Sequence, residues 1–174
     1  MGDVGIDWPQ AIYCALCDLG VRQVAYVPDA GHTRLIHLCQ EDPAMTDVPL
    51  TTEEEGVAVL AGAWLGGQRG VLLMQSSGVG NCINMLSLIR TCRMPLLMLV
   101  TMRGEWGEFN PWQLPMGQLA PEVLRSSGAI VQRLEDKTAA GADVLAAGRM
   151  AFEGQVGVAV LIGQKMIGAK SFGR

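Results

Sequence analysis

The chain is poor in aromatic residues (5%) and in charge (17%), holds only 2 histidines, and nowhere assembles the roughly 20 consecutive apolar residues that a bilayer span requires. Its longest apolar runs, 71–74 and 95–100, are the size of strands, so no membrane partner is expected. Lys and Arg total 13 against 17 Asp and Glu, a formal net charge of −4, and no stripe of basic side chains could follow a phosphate backbone. Nucleic acid is therefore not an expected partner. The first eight residues carry Asp3 and Asp7 and no basic stretch leading into an apolar core, which does not read as a secretory signal and makes the cytoplasm the expected location. His32 and His37 lack the HExxH spacing of a zincin. No Gly-Lys-Ser or Gly-Lys-Thr marks a P-loop, and a dinucleotide fingerprint would want glycine where Ile83 stands. Five cysteines, Cys14, Cys17, Cys39, Cys82 and Cys92, make an odd set within apolar segments, so free buried thiols are expected and not a disulfide framework. Cys14 and Cys17 have CxxC spacing, yet no second pair completes a zinc set.

What the chain does have is 49% hydrophobic residues over 174 positions, enough for one packed domain spanning 1–174. Short Val, Ile and Leu runs alternate with longer segments of helical period. Helices are expected over 7–20, 33–40, 53–65, 81–93, 116–127 and 137–152, and strands over 22–27, 48–51, 71–75, 95–100, 129–132 and 156–162. Every crossover is too long for a hairpin, so the expected fold is α/β, a six-stranded mainly parallel sheet with helices on both faces. Ligands of such sheets bind beyond the carboxyl ends of the strands. That directs attention to the turns 28–33, 51–55, 76–81 and 101–118 and to the stretch after Ile162. The aperiodic segment 101–116, with Trp106, Phe109 and Trp112, reads as a lid or interface loop. The tail 163–174, with Lys165, Lys170 and Arg174, reads as a partner-contacting arm or a frayed end.

Within those turns, Gly78 and Gly80 leave backbone N–H groups open between a strand and a helix, which suits an anion or a plain tight turn alike. Glu53, Glu54 and Glu55 open a helix directly after a strand, where one carboxylate should face the ligand edge and the others complement the helix dipole. His32 lies on the first βα turn and could bind an anion or move a proton, or simply shape the turn. Asp29, Arg34 and Arg103 place charge at the same edge, and a guanidinium suits a carboxylate, sulfonate or phosphonate because it holds two oxygens at once.

Four elements then carry a resemblance: Glu53-Glu54-Glu55-Gly56, the run Met74-Gln75-Ser76-Ser77-Gly78-Val79-Gly80-Asn81, Pro95-Leu96-Leu97, and Gln113-Leu114-Pro115-Met116-Gly117. Together they resemble the pyrimidine-binding domain of thiamine-diphosphate-dependent decarboxylases, in particular the sulfopyruvate decarboxylase alpha-subunit and phosphonopyruvate decarboxylase families. Val27-Pro28-Asp29 resembles the Val-Pro-Asp turn of the latter. The resemblance implies a thiamine-diphosphate-binding fold in which a glutamate contacts the aminopyrimidine of the cofactor. Glu53, nine positions before Gly62, matches the family spacing, while the Glu-Gly pair favours Glu55 and leaves Glu54 open as well. Ser76, Ser77, Gly78, Val79, Gly80 and Asn81 are then cofactor-binding, and Asp29, His32, Arg103 and Gln113 are substrate-side candidates. Nothing resembles the Gly-Asp-Gly element that holds Mg²⁺ and the diphosphate in full-length relatives.

The resemblance therefore implies the alpha subunit of a split carboxy-lyase that converts sulfopyruvate to sulfoacetaldehyde and CO₂. Thiamine diphosphate is shared with a diphosphate-binding beta subunit that holds the Mg²⁺, in a homodimer or an alpha/beta hetero-oligomer. The alternatives are phosphonopyruvate or another small 2-oxo acid as substrate, or a binding module that kept the fold without the chemistry. A mean hydropathy of +0.26 and 10 methionines fit an apolar interface.

Overall fold

The computed structural model describes residues 6–168. The helix α1 (Trp8–Asp18) starts at the Asp7 cap, whose side chain accepts from Gln10 N, and leads into β1 (Val21–Tyr26). There follow α2 (Thr33–Glu41), β2 (Thr46–Pro49), α3 (Glu53–Leu65), β3 (Arg69–Gln75), a 3₁₀ segment Ser76–Cys82, and α4 (Ser87–Thr91). The second half runs β4 (Leu96–Thr101), α5 (Leu114–Ser126), β5 (Ile130–Leu134), α6 (Ala140–Gly154), β6 (Gly157–Ile162) and the short α7 (Gln164–Ile167). Residues 169–174, including the tail positions Lys170 and Arg174, lie outside the described residues.

All six strands pair in parallel in the order β2-β1-β3-β4-β6-β5. Strand order reverses between β1 and β3, where such sheets open a crevice at their carboxyl ends. Side chains of the central strands alternate between two cores. Val71, Leu73, Leu97 and Leu99 pack with α1, α2 and α6 on one face. Leu72, Met74, Met98 and Val100 pack with α3, α4 and α5 on the other. Helices on both faces make β3, β4 and β6 nearly continuous apolar runs, as buried parallel strands should be. Truncating a fully buried member such as Leu99 to alanine costs about 2–5 kcal/mol.

Two close approaches set the layers. A Cβ on Gly56 would overlap Leu72, so α3 lies tight on β3 and its first turn reaches the carboxyl edge of the sheet. A Cβ on Gly148 would overlap Leu19, and one on Gly141 would stand 3.0 Å from Ala11 O, so α6 and α1 cross in direct contact.

Two expectations are corrected. A continuous helix over 81–93 is replaced by the 3₁₀ segment, a run of turns and the five-residue α4. Just ahead of it, Gly78 and Gly80 are poor helix formers, and Gly78 is pressed against Glu53 while Gly80 touches Met116, so the chain leaves β3 as a tight 3₁₀ segment. The cysteines are not uniformly buried: Cys39 and Cys82 are, while Cys14, Cys17 and Cys92 are exposed. On α1 the core takes Ile12, Ala15 and Leu16, and the cysteines fall off that face. No helix among the described residues is long and apolar enough to cross a membrane.

Candidate active site

Three adjacent glutamates meet three environments. Glu55 is exposed and accepts Thr51 N at 2.9 Å, closing the first turn of α3 from outside. Glu54 takes a hydrogen bond from the Thr52 hydroxyl, which holds its carboxyl below the usual range. Glu53 alone turns inward. It is 8% exposed, accepts from Asn81 Nδ2 at 2.8 Å on Oε2, and its carboxyl group rests where a Cβ on Gly78 would be. The glycine at position 78 is thus needed for space, since any side chain would push the carboxylate out. Beside it, burial and the neighbouring carboxylates of Glu53 and Glu54 push the Cys82 thiol up to about 12, so this sulfur stays protonated.

The turn that meets Glu53 is fixed from both ends. Val79 is fully buried in the second core, and Ser76 Oγ accepts Arg103 N at 3.1 Å, tying the end of β3 to the segment after β4. Ser77 is exposed and donates to Gln75 Oε1 at 3.0 Å, while Gly80 faces Met116 of α5. Residues 76–81 and Glu53 therefore form one continuous wall.

A second polar group sits at the reversal of strand order. Asp29, just past β1, accepts Gln75 Nε2 (2.8 Å) from the end of β3, Thr101 Oγ1 (2.6 Å) from the end of β4, and Gly31 N (3.1 Å). One carboxylate bridges three strand ends and is still partly open to a groove of 470 Å³ lined by Tyr26, Pro28, Thr33, His37 and Gln40. Gln75 and Thr101 were not among the residues expected from sequence. Their position as the last residues of β3 and β4, on the ligand edge, was the available signal.

His32 and Arg103 occupy roles other than those expected. His32 is 1% exposed; its Nε2 lies 3.1 Å from Leu99 O, a pure acceptor, so that nitrogen carries the proton, and Nδ1 has no hydrogen-bond partner. Burial lowers its pKa against the opposing pull of Asp29, so the ring is neutral near neutral pH and offers no cation to an anion. The guanidinium of Arg103 is held by Glu108 through Nε (2.7 Å) and Nη2 (2.6 Å). Its fork geometry is used inside the protein. The same Glu108 carboxylate accepts Gly104 N, Asn110 N and Gln164 Nε2, and the arginine beside it holds its pKa down at about 2. Gln113, in the 3₁₀ turn Pro111–Gln113, has a buried Oε1 without a partner. Glu108 and Gln164 were also missed from sequence. They lie 56 positions apart and become partners only once β4 and β6 are neighbours.

This edge is that of a doubly wound α/β domain whose polar residues gather at the carboxyl ends of its strands. Over 90% of the chain, the fold is shared with 2-oxoglutarate:ferredoxin oxidoreductase from Magnetococcus marinus, with a TM-score of 0.76 and 19% identity, the match spanning 28% of that larger chain. No protein-family profile matches. Among curated proteins, the chain is 39% identical over 121 residues to sulfopyruvate decarboxylase subunit alpha of Methanothermobacter thermautotrophicus, covering 69% of this chain and 73% of that one. It is 37% identical to sulfopyruvate decarboxylase of Methanosarcina acetivorans and 41% identical to phosphonopyruvate decarboxylase of Streptomyces viridochromogenes, covering 63% and 65% of this chain but only 28% and 29% of theirs. The chain belongs to the sulfopyruvate decarboxylase alpha-subunit family, whose members are subunits of carboxy-lyases.

Proposed function

We propose that this chain is the pyrimidine-binding subunit of a cytoplasmic, thiamine-diphosphate-dependent decarboxylase that converts sulfopyruvate to sulfoacetaldehyde and CO₂ together with a beta subunit. The observation that carries the reading is the setting of Glu53: a nearly buried carboxylate with one oxygen fixed by Asn81, pressed against the Gly78 turn at the ligand edge. Such a group fits the aminopyrimidine ring of thiamine diphosphate, because a carboxylate can hold a proton at a ring nitrogen. Glu54 and Glu55, turned to Thr52 and Thr51, do not compete for that role. When bound, the cofactor supplies the electron sink for the carbanion left as CO₂ departs.

The chain's own residues divide the rest of the work. Glu53 would hold the proton at the pyrimidine nitrogen, and Asn81 keeps that carboxylate in one orientation. Ser76, Ser77, Gly78, Val79 and Gly80 form the turn that would hold the cofactor ring beside Glu53. Asp29 and Gln113, the two substrate-side candidates with polar atoms not wholly committed within the protein, face the 2-oxo acid. Arg103 and His32 support the site from behind. Diphosphate and Mg²⁺ fall to the beta subunit, as this sequence holds nothing like a Gly-Asp-Gly element. Phosphonopyruvate is a second reading of the substrate, favoured by the 41% identity to phosphonopyruvate decarboxylase.

The test is CO₂ release from sulfopyruvate, phosphonopyruvate and pyruvate by the chain co-expressed with a beta subunit, with thiamine diphosphate and Mg²⁺ present. Glu53→Gln should lower turnover by about 10²–10⁴-fold, the range of general acid–base catalysis, and Glu54→Gln and Glu55→Gln by only a few fold. Equal losses from all three would remove Glu53 from its role. A folded complex inactive on every substrate would leave a binding module.

A further inference from the structure

We propose that the segment between β4 and α5 is a preformed docking platform on which the second subunit seats, with Trp112 as its principal anchor. The proposal rests on the split-enzyme reading above and names the surface that reading leaves open.

The segment presents apolar area to solvent: Trp112 is 87% exposed, Trp106 47% and Leu114 44%. In a chain with 5% aromatic residues, two exposed indoles six positions apart are a concentrated apolar surface, of the kind that marks interaction sites. The backbone beneath them is irregular but not loose. The Glu108 carboxylate accepts five hydrogen bonds, from Arg103 Nε and Nη2, Gly104 N, Asn110 N and Gln164 Nε2. Gln164 Oε1 accepts both Glu105 N and Trp106 N at 2.9 Å, Gln118 Nε2 donates to Gly104 O at 2.7 Å, and Asn110 Oδ1 caps Trp112 N at 3.1 Å. These bonds tie the segment to itself, to α5 through Gln118 and to α7 through Gln164. The indoles thus stand on a fixed support, and the entropy of ordering the backbone that carries them is already spent before a partner arrives.

Charge on the platform is neutralised internally. Arg103 pairs with Glu108, and Arg133 holds Glu105 through two bonds of 2.7 and 3.0 Å. What remains for a partner is apolar surface with a polar rim, the composition of an interface core. Position matters as well: Gly117 is packed against Arg103 O, and Met116 against Gly80, so the platform adjoins the wall that carries Glu53. A subunit seated there reaches the site.

The occupant follows from the relatives. The matched region is 73% of a protein called subunit alpha in one organism and 28% of a protein called simply sulfopyruvate decarboxylase in another. In the long chain the remainder is covalently attached. For an alpha subunit it must be recruited by a surface, and this one is rigid, apolar and beside the site. The committed occupant is therefore the beta subunit, carrying an apolar pocket that takes the Trp112 indole.

The experiment measures the affinity of the full chain for separately purified beta subunit of sulfopyruvate decarboxylase from the same source, by calorimetry, and the mass of the chain alone by sedimentation. Trp112→Ala should weaken the complex by about 30-fold or more, the scale of an interface hot spot, and Leu114→Ser by less. Leu65→Ala, an equally exposed change at the far end of α3, should leave it unaltered. Trp112 packs on little of its own chain, so the thermal midpoint should match wild type and exclude misfolding as the cause. An unchanged affinity for Trp112→Ala overturns the platform while sparing the split-enzyme reading. A change confined to self-association assigns the surface to a second copy and likewise overturns it. Failure of the wild-type chain to bind the beta subunit would remove the split-enzyme reading itself, and the platform with it.

Discussion

Two buried carboxylates at the same edge of the sheet are put to opposite uses. Glu108 accepts five hydrogen bonds and is paired with a guanidinium, whereas Glu53 accepts one, from Asn81. The first has no capacity left for a ligand; it holds backbone in place where there is no helix or strand to do so. The second is kept half-satisfied next to a glycine turn, a costly arrangement for stability alone and a useful one for chemistry. Burial by itself therefore does not mark a functional acid. The count of hydrogen bonds that it already accepts does.

That contrast can be broken most directly by comparing the stability of Glu108→Ala with that of Glu53→Gln. The first strands Arg103 in a side-chain environment only 10% exposed and should cost about 3–5 kcal/mol in denaturant unfolding, the usual penalty for removing one partner of a buried pair. Glu53→Gln should change stability by less than about 1 kcal/mol, since the amide oxygen of glutamine can accept the same hydrogen bond from Asn81. Equal costs would abolish the distinction. Gly78→Ala comes next: a methyl overlaps the Glu53 carboxyl group, and overpacking should cost about 1–3 kcal/mol, with CO₂ release in the assembled enzyme falling more than stability does.

Acid should test the Glu108 pair as well. The pKa of Glu108 is depressed to about 2 in the folded chain and lies near 4.3 in an unfolded one, so its stabilisation is complete above about pH 4.3 and is lost as pH falls toward 2. Unfolding free energies of wild type and Glu108→Gln should therefore converge as the pH is lowered through that window. Parallel curves would show that the pair does not carry the linkage. The smallest effect belongs to Asn81→Ala, which frees Glu53 to turn: stability should change by about 1 kcal/mol or less, and CO₂ release by the assembled enzyme should fall by a few fold.

Much of this arrangement could be read before folding. The bounds expected for α3, 53–65, match at both ends because three acids open the helix and Gly66 and Gly67 follow it. The alternation of β and α segments gave the parallel sheet and so the edge on which Asp29, Glu53 and the 76–81 turn meet. The spacing to Gly62 favoured Glu53, and it is the one of the three acids that turns inward, the other two being bonded to Thr51 and Thr52. What local pattern could not carry was pairing across distance. Arg103 looked like a free guanidinium because Glu108 shares no periodic element with it, and Gln164 is an unremarked amide until β6 inserts between β4 and β5. His32 lies on the expected turn, but whether a turn residue faces the ligand or the core depends on what packs over it.

The direct crossing of α1 and α6 bears on how the molecule is made. Residues 8–18 pack on 140–154 as well as on α2, so part of the apolar face of α1 waits for the chain up to α6 before it is covered. Contacts of such long sequence separation slow folding, and until they form Ile12 and Leu16 are open to other chains. Synthesis of this subunit is for that reason a period of exposure that ends late, and a chain cut short anywhere before α6 would be left with an adhesive face on α1.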